Sequence, residues 1–135
     1  MAYIWSPALE TGHEKIDEQH RQLFDTLNSI AAAFWGGRGS QEITKTLAFL
    51  TEYTIMHFST EEELMEKNAY SGYAAHKKRH DDFKVTVTGL AKKLEKEGPC
   101  EDFIVNVTAI IGDWLISHIK VEDTKMASFL TANNN

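Results

Sequence analysis

The sequence predicts an all-α protein that folds as an up-down-up-down antiparallel four-helix bundle with a short N-terminal arm. Four long segments carry apolar residues at steps of three and four, the period of one helix face. Glycine-rich breaks separate these segments at GGRGS (36–40), SG (71–72) and EGP (97–99). Short connections favour antiparallel neighbours, and the 135 residues are expected to form one domain, 1–135.

Composition and charge exclude several classes of protein. The chain is 42% hydrophobic and 25% charged, with a formal net charge of −6. No apolar run approaches the roughly 20 residues of a membrane helix, so no membrane insertion is expected. The basic residues form no long block, so nucleic acid is not expected as a partner. The sequence indicates no particular protein partner.

The N-terminus and the cysteine content predict a cytoplasmic protein. The stretch MAYIWSPALE lacks the basic start and apolar centre of a secretory signal. The single cysteine, Cys100, cannot form an internal disulfide. The expected compartment is therefore the reducing cytoplasm.

The first predicted helix has one apolar face that also carries a histidine. This face contains Ile16, His20, Leu23, Leu27, Ile30 or Ala31, and Phe34. Its start is ambiguous, because Thr11 and Glu14 fit a capping box whereas Asp17 could cap a later start.

The second predicted helix places a histidine and a glutamate on its inner face. Ser40 is placed to cap its start. The face contains Ile43, Leu47, Leu50, Thr54, His57, Glu61, and Leu64 or Met65.

The third and fourth predicted helices carry the remaining inward histidines, and Ser71 is a candidate cap for the third. The inner face of the third contains Tyr73, His76, His80, Phe83, Val87, Leu90 and Leu94. The fourth, which follows Pro99, is predicted to turn inward Phe103, Val107, Ile110, Trp114 and His118.

Five of the six histidines thus fall on inward faces, and only His13 lies outside them. A single core histidine usually has an ordinary hydrogen-bond partner. Five converging imidazoles with a carboxylate would leave many buried polar atoms, each costing about 1–3 kcal/mol if unpaired. Metal binding would use their lone pairs at once, so the pattern indicates a metal site.

The spacing within the helices supports this interpretation. His57 with Glu61, and His76 with His80, are i, i+4 pairs that lie on one helix face. After His118 two acids compete, Glu122 at i+4 and Asp123 at i+5. Ideal helix geometry favours Glu122, because position i+5 is displaced by about 140° around the axis. A helix that ended or distorted after His118 would change that choice.

Four motifs in order resemble those of the hemerythrin family, in its bacterial single-domain branch. They are DEQH (17–20), HFSTEE (57–62), HKKRH (76–80) and HIKVED (118–123). The similarity extends from Trp5 and Gly12 to about residue 130. One HxxxE or HxxxH occurs often by chance, but four such motifs, one on each helix, rarely do.

The resemblance implies a di-iron centre with an oxo or hydroxo bridge. One iron would be held by His76, His80 and His118, and the other by His20 and His57. Glu61 and Asp123 would bridge the two irons, so the resemblance selects Asp123 over Glu122. Glu62 and Glu63 are expected to face solvent or to support the ligands, with the solvent-facing interpretation favoured.

The resemblance also implies reversible dioxygen binding, for carriage, storage or delivery, with no catalytic residues. The iron held by His20 and His57 would have five ligands and one open position facing an apolar core, which suits a small neutral molecule. Residues that either line this position or simply fill the core are Leu23, Phe24, Phe58, Trp114 and Ile119. Alternatives are a di-iron enzyme handling peroxide, nitric oxide or iron release, and an oxygen or redox sensor that acts through a separate partner.

Overall fold

The structure is a computed structural model that describes residues 3–133, and it confirms the predicted four-helix bundle. After a 3-10 turn at Pro7–Leu9, the chain forms α1 (Glu14–Trp35), α2 (Ser40–Lys67), α3 (Tyr73–Glu97) and α4 (Glu101–His118). A π-helical turn, Ile119–Asp123, continues α4 into α5 (Thr124–Asn133). Residues 3–133 contain no strand.

The core lies between the inner faces of the four long helices. Helix α1 packs against α2 and α4, and α2 packs against α3. Most residues of the predicted inner faces are buried, but Ile110 is 44% exposed whereas Ile111 is 1% exposed. The prediction for α4 was therefore wrong at this position. The steps of four from Phe103 through Val107 and Ile111 to Leu115 form its core face.

The helix starts differ from the predicted caps. The N-cap of α1 is His13, whose Nδ1 accepts a hydrogen bond from the backbone N–H of Ile16 at 3.4 Å. The Asp17 carboxylate instead accepts bonds from the backbone N–H and hydroxyl of Thr11, at 2.9 and 2.8 Å. Helices α2 and α3 follow Gly39 and Gly72 and have no side-chain cap. Ser40 and Ser71 were therefore wrongly predicted as caps.

The N-terminal arm is held along α1 and α4. The Asn28 side chain exchanges two hydrogen bonds with the Tyr3 backbone, at 2.8 and 2.7 Å. The Tyr3 ring lies against Gly112 of α4 and occupies the space that a Cβ at this position would need. This attachment places Trp5 beside His20 and Phe24, with ring centroids 6.1 and 5.9 Å away.

The continuous helical stretch Glu101–Ala132 is long and apolar enough to cross a membrane, judged by length and composition alone. In the bundle, however, its core face is buried against α1, and its polar residues His118 and Asp123 are also buried. Inward-facing polar groups and a largely buried apolar face are typical of a core helix in a folded domain.

We expect Asn28→Ala to lower the free energy of unfolding by about 1–3 kcal/mol, because two partly buried hydrogen bonds to the arm are lost. Urea denaturation followed by tryptophan fluorescence measures this change. Ser29→Ala is the control, since the Ser29 hydroxyl bonds only the backbone of its own helix, at 2.9 Å. Equal stabilities of the two variants would show that Asn28 does not hold the arm.

Candidate metal centre

The structure brings three histidines and two carboxylates together between α2, α3 and the end of α4. The group consists of Glu61, His76, His80, His118 and Asp123, whose ligand atoms lie within 4.8 Å of one another. The Nε2 atoms of His76 and His118 lie 3.0 and 3.1 Å from Asp123 Oδ1. His80 Nε2 lies 3.0 Å from Glu61 Oε1.

A second group lies against the first and shares its two carboxylates. It consists of His20, His57, Glu61 and Asp123. His57 Nε2 lies 3.1 Å from Glu61 Oε2, and His20 Nε2 lies 2.9 Å from Asp123 Oδ2. Each carboxylate therefore presents one oxygen to each group. All seven predicted ligands are in this one cluster, while His13 caps α1 at its start.

The π-helical turn places Asp123 rather than Glu122 toward the cluster. In a π-helix the hydrogen bonds run from i to i+5 and each residue rotates the chain by less than in an α-helix, so position i+5 moves back toward the face of position i. Ile119 O accepts from both the backbone N–H and the hydroxyl of Thr124, the latter at 2.9 Å. Asp123 is fully buried, whereas Glu122 points outward and forms an ion pair with Arg79.

The donor atoms of this cluster fit a metal centre. Both carboxylate oxygens of Glu61 and of Asp123, both ring nitrogens of His20, and His76 Nδ1 are buried without a hydrogen-bond partner. The short nitrogen–oxygen distances thus lack hydrogen-bond geometry, as expected of atoms directed at a common point. Orphaned buried polar atoms are costly, and imidazole and carboxylate together suit transition metals such as iron.

Without a bound metal, His20 and His76 retain protons at neutral pH. Burial opposes the charged form, but the nearby carboxylates of Asp123 and Glu61 outweigh it and raise the pKa of each histidine to about 9. Burial also opposes ionisation of Glu61, yet the electrostatic attraction of His57 and the neighbouring imidazoles holds the pKa of Glu61 well below its usual range. The cluster therefore compensates its own buried charges when no metal is bound.

Two further residues orient the histidines from outside the cluster. The Nδ1 atoms of His57 and His80 lie 2.7 Å from Gln19 Oε1 and 2.9 Å from Glu62 Oε2. Such partners fix the ring so that Nε2 faces the metal. The interpretation of Glu62 as solvent-facing was wrong, and Gln19 was missed. Their partners are 38 and 18 residues away in sequence, so no local spacing reveals these bonds.

Aromatic rings cover two of the histidines. Phe58 stacks on His80 with ring centroids 3.9 Å apart, and Trp114 stacks on His118 at 4.3 Å. Phe83 stacks in turn on Trp114, at 3.9 Å. The other candidate lining residues, Leu23, Phe24 and Ile119, are buried in the main core. The cluster is thus enclosed by apolar surface on several sides.

Iron(II) binding should release protons near neutral pH, because the ligating form of histidine is neutral. The apparent affinity should rise with pH and level off only above the pKa of about 9, where His20 and His76 lose their protons. The same raised pKa values stabilise the metal-free fold below about pH 6.5, and this contribution is lost as the pH rises through about 9. Anaerobic calorimetry in buffers of different ionisation enthalpy counts the protons. Heats that do not depend on the buffer would show that these histidines are neutral beforehand.

Comparisons with known proteins agree with this geometry. The family profile for the Hemerythrin HHE cation binding domain matches residues 11–130. A bacteriohemerythrin of Methylococcus capsulatus is 36% identical over 118 residues, which cover 86% of each chain. A myohemerythrin of Sipunculus nudus is 31% identical, covering 91% of this chain and 89% of that protein.

Solved structures are also similar. A crystal structure of wild-type hemerythrin superimposes with a TM-score of 0.84 at 32% sequence identity, covering 95% of this chain and 97% of the other. The family match extends over most of the chain, and similar relatives are matched over most of their own length. The chain therefore belongs to the hemerythrin family.

Proposed function

We propose that this protein binds dioxygen reversibly, as a carrier or store rather than an enzyme, with the seven clustered residues as the protein ligands of its di-iron centre. Members of the hemerythrin family bind dioxygen at a di-iron centre. The observation that carries the proposal is the division of the cluster into two groups that share Glu61 and Asp123.

The unequal numbers of histidines would leave one iron with an open position. With the oxygen bridge that the family's irons share, the group of His76, His80 and His118 would complete six ligands, whereas that of His20 and His57 would reach five. When bound, the iron pair supplies the electrons that allow dioxygen to bind. The chain contributes the imidazoles, the two bridging carboxylates and the surrounding apolar side chains.

The buried polar residues outside the cluster are all engaged elsewhere, which favours binding over catalysis. Within residues 3–133 these are Asp17, Gln19, Thr26 and Thr54. Asp17 accepts a hydrogen bond from the Thr11 hydroxyl, and Gln19 Oε1 lies 2.7 Å from His57 Nδ1. The two threonines bond the backbone of their own helices. An enzyme that acts on peroxide or dioxygen needs a positioned acid or base. None of these four buried side chains is free to serve as one.

Closure of the centre by side chains supports a reversible role. Trp5 lies near His20 and packs against Phe24, and the ring centroids of Phe58 and His57 are 6.0 Å apart. An apolar enclosure excludes water and slows proton transfer to bound dioxygen, which would otherwise leave the irons oxidised.

The reduced protein should be nearly colourless, develop visible absorption bands in air, and lose them when oxygen is withdrawn. Optical spectra over several cycles, combined with an iron analysis, measure this reversal. His57→Gln should abolish the bands because it removes a ligand, while His13→Gln, which removes the one histidine outside the cluster, should retain them. Stoichiometric oxygen consumption without recovery of the reduced form would favour the enzyme.

The two acids after His118 should differ sharply in their effect on iron content. Asp123→Ala removes an oxygen from each group and should leave fewer than two irons per chain, whereas Glu122→Ala should leave the equilibrium content nearly unchanged. Elemental analysis after anaerobic iron(II) loading and desalting measures both. A reversed result would contradict the assignment of Asp123 as the bridging residue.

A further inference from the structure

One member of the cluster is less completely buried than the others. The His118 residue is 5% exposed, whereas the other six members are at most 1% exposed. His118 lines a surface cavity of about 250 Å³ together with Arg79, Trp114, Ser117, Val121 and Glu122. Four further cavities on the described part of the chain are lined by none of the seven residues. Of these five cavities, this one alone borders the cluster, and it does so at His118.

An ion pair joins two walls of the cavity. Arg79 Nε on α3 lies 3.1 Å from Glu122 Oε1 on the π-helical turn. The Arg79 side chain is 60% exposed and that of Glu122 is 20% exposed. Ion pairs as exposed as this one contribute little to the free energy of unfolding, and water can replace either partner. This pair can therefore open without unfolding the bundle.

The lining of the cavity suits a hydrated cation better than dioxygen. The Glu122 carboxylate and the Ser117 hydroxyl are oxygen donors of the kind that replace water around a divalent ion. The cavity also leads to the group of His76, His80 and His118, which would have no open position for dioxygen. While the ion pair is closed, the guanidinium of Arg79 compensates the negative charge of Glu122. When Arg79 moves away, the carboxylate is free to attract a cation.

We propose that this cavity is the route by which iron(II) enters and leaves the centre, and that the Arg79–Glu122 ion pair is its gate. The inference rests on the proposed ligation by the seven clustered residues. Iron(II) first meets Glu122 and Ser117 and then passes to the His118 edge of the cluster. The protein therefore carries a separate site for metal loading, on the side away from the iron with the open position.

An ion pair that gates the cavity and one that only holds the π-helical turn in place would affect the rates of iron(II) uptake and release differently. Opening a gate lowers one barrier that both directions cross, so the rates of uptake and release rise by the same factor and the affinity is unchanged. If the ion pair instead only held the π-helical turn in place, breaking it would weaken the site. Release would then accelerate without a matching gain in uptake, and the affinity would fall.

The test uses the full chain, stripped of metal and then loaded anaerobically. Stopped-flow tryptophan fluorescence follows iron(II) uptake, and absorbance of an excess ferrous chelator follows release. Arg79→Gln should increase both rates by about twofold to fivefold, the equilibrium factor of an exposed ion pair, with unchanged final iron content. The double variant Arg79→Glu with Glu122→Arg should return both rates towards wild type. Lys78→Gln is the control, because Lys78 pairs with Asp82, at 3.1 Å, on the exposed face of the same helix.

Several results would overturn the proposal. Unchanged rates in Arg79→Gln, faster release without faster uptake, or the same acceleration in Lys78→Gln would each remove the gate while leaving the ligation intact, provided that the wild type loads two irons. A wild-type chain that takes up no iron would overturn both the route and the proposed ligation. Circular dichroism of each variant confirms that the helices are retained.

Discussion

The structure depends on the placement of two buried carboxylates among five imidazoles. Glu61 and Asp123 are fully buried, and each directs one oxygen toward each group of histidines. Two isolated buried charges of this kind would destabilise the bundle strongly. Protons on His20 and His76 compensate them in the absence of metal. The four helices therefore meet at a polar centre that requires either protons or metal ions to be stable.

The helices and the inward histidines could be predicted from the sequence because both follow from a period of three and four residues. The positions of His57, Glu61, His76 and His80 are consequences of that period alone. Ideal geometry failed at Asp123, since a π-helical turn cannot be distinguished from an α-helix by apolar spacing. There the family resemblance supplied the residue that the periodicity would have missed.

The helix caps could not be predicted, because they depend on local backbone conformation. The serines predicted to cap α2 and α3 were wrong by one residue each.

Contacts between distant parts of the chain could not be predicted from local spacing either. Gln19 and Glu62 act across the bundle on His57 and His80. They also differ in charge: an amide lies behind the two-histidine group and a carboxylate behind the three-histidine group. Donating a ring N–H to a carboxylate raises the basicity of a histidine ligand, so the two halves of the centre are electronically unequal.

The π-helical turn has the effect of one inserted residue. After Asp123, buried residues recur at Met126, Ala127 and Leu130, so the inner face of α5 stays in phase with that of α4. Met126 and Leu130 thereby reach Ile16, Met65 and Tyr70 in a second apolar cluster. The additional residue is accommodated on the outside of the helix, where Glu122 meets Arg79. If one residue were deleted from this turn, the chain could continue as an uninterrupted α-helix with the same buried inner face. The outer face of the helix would then have one side chain fewer.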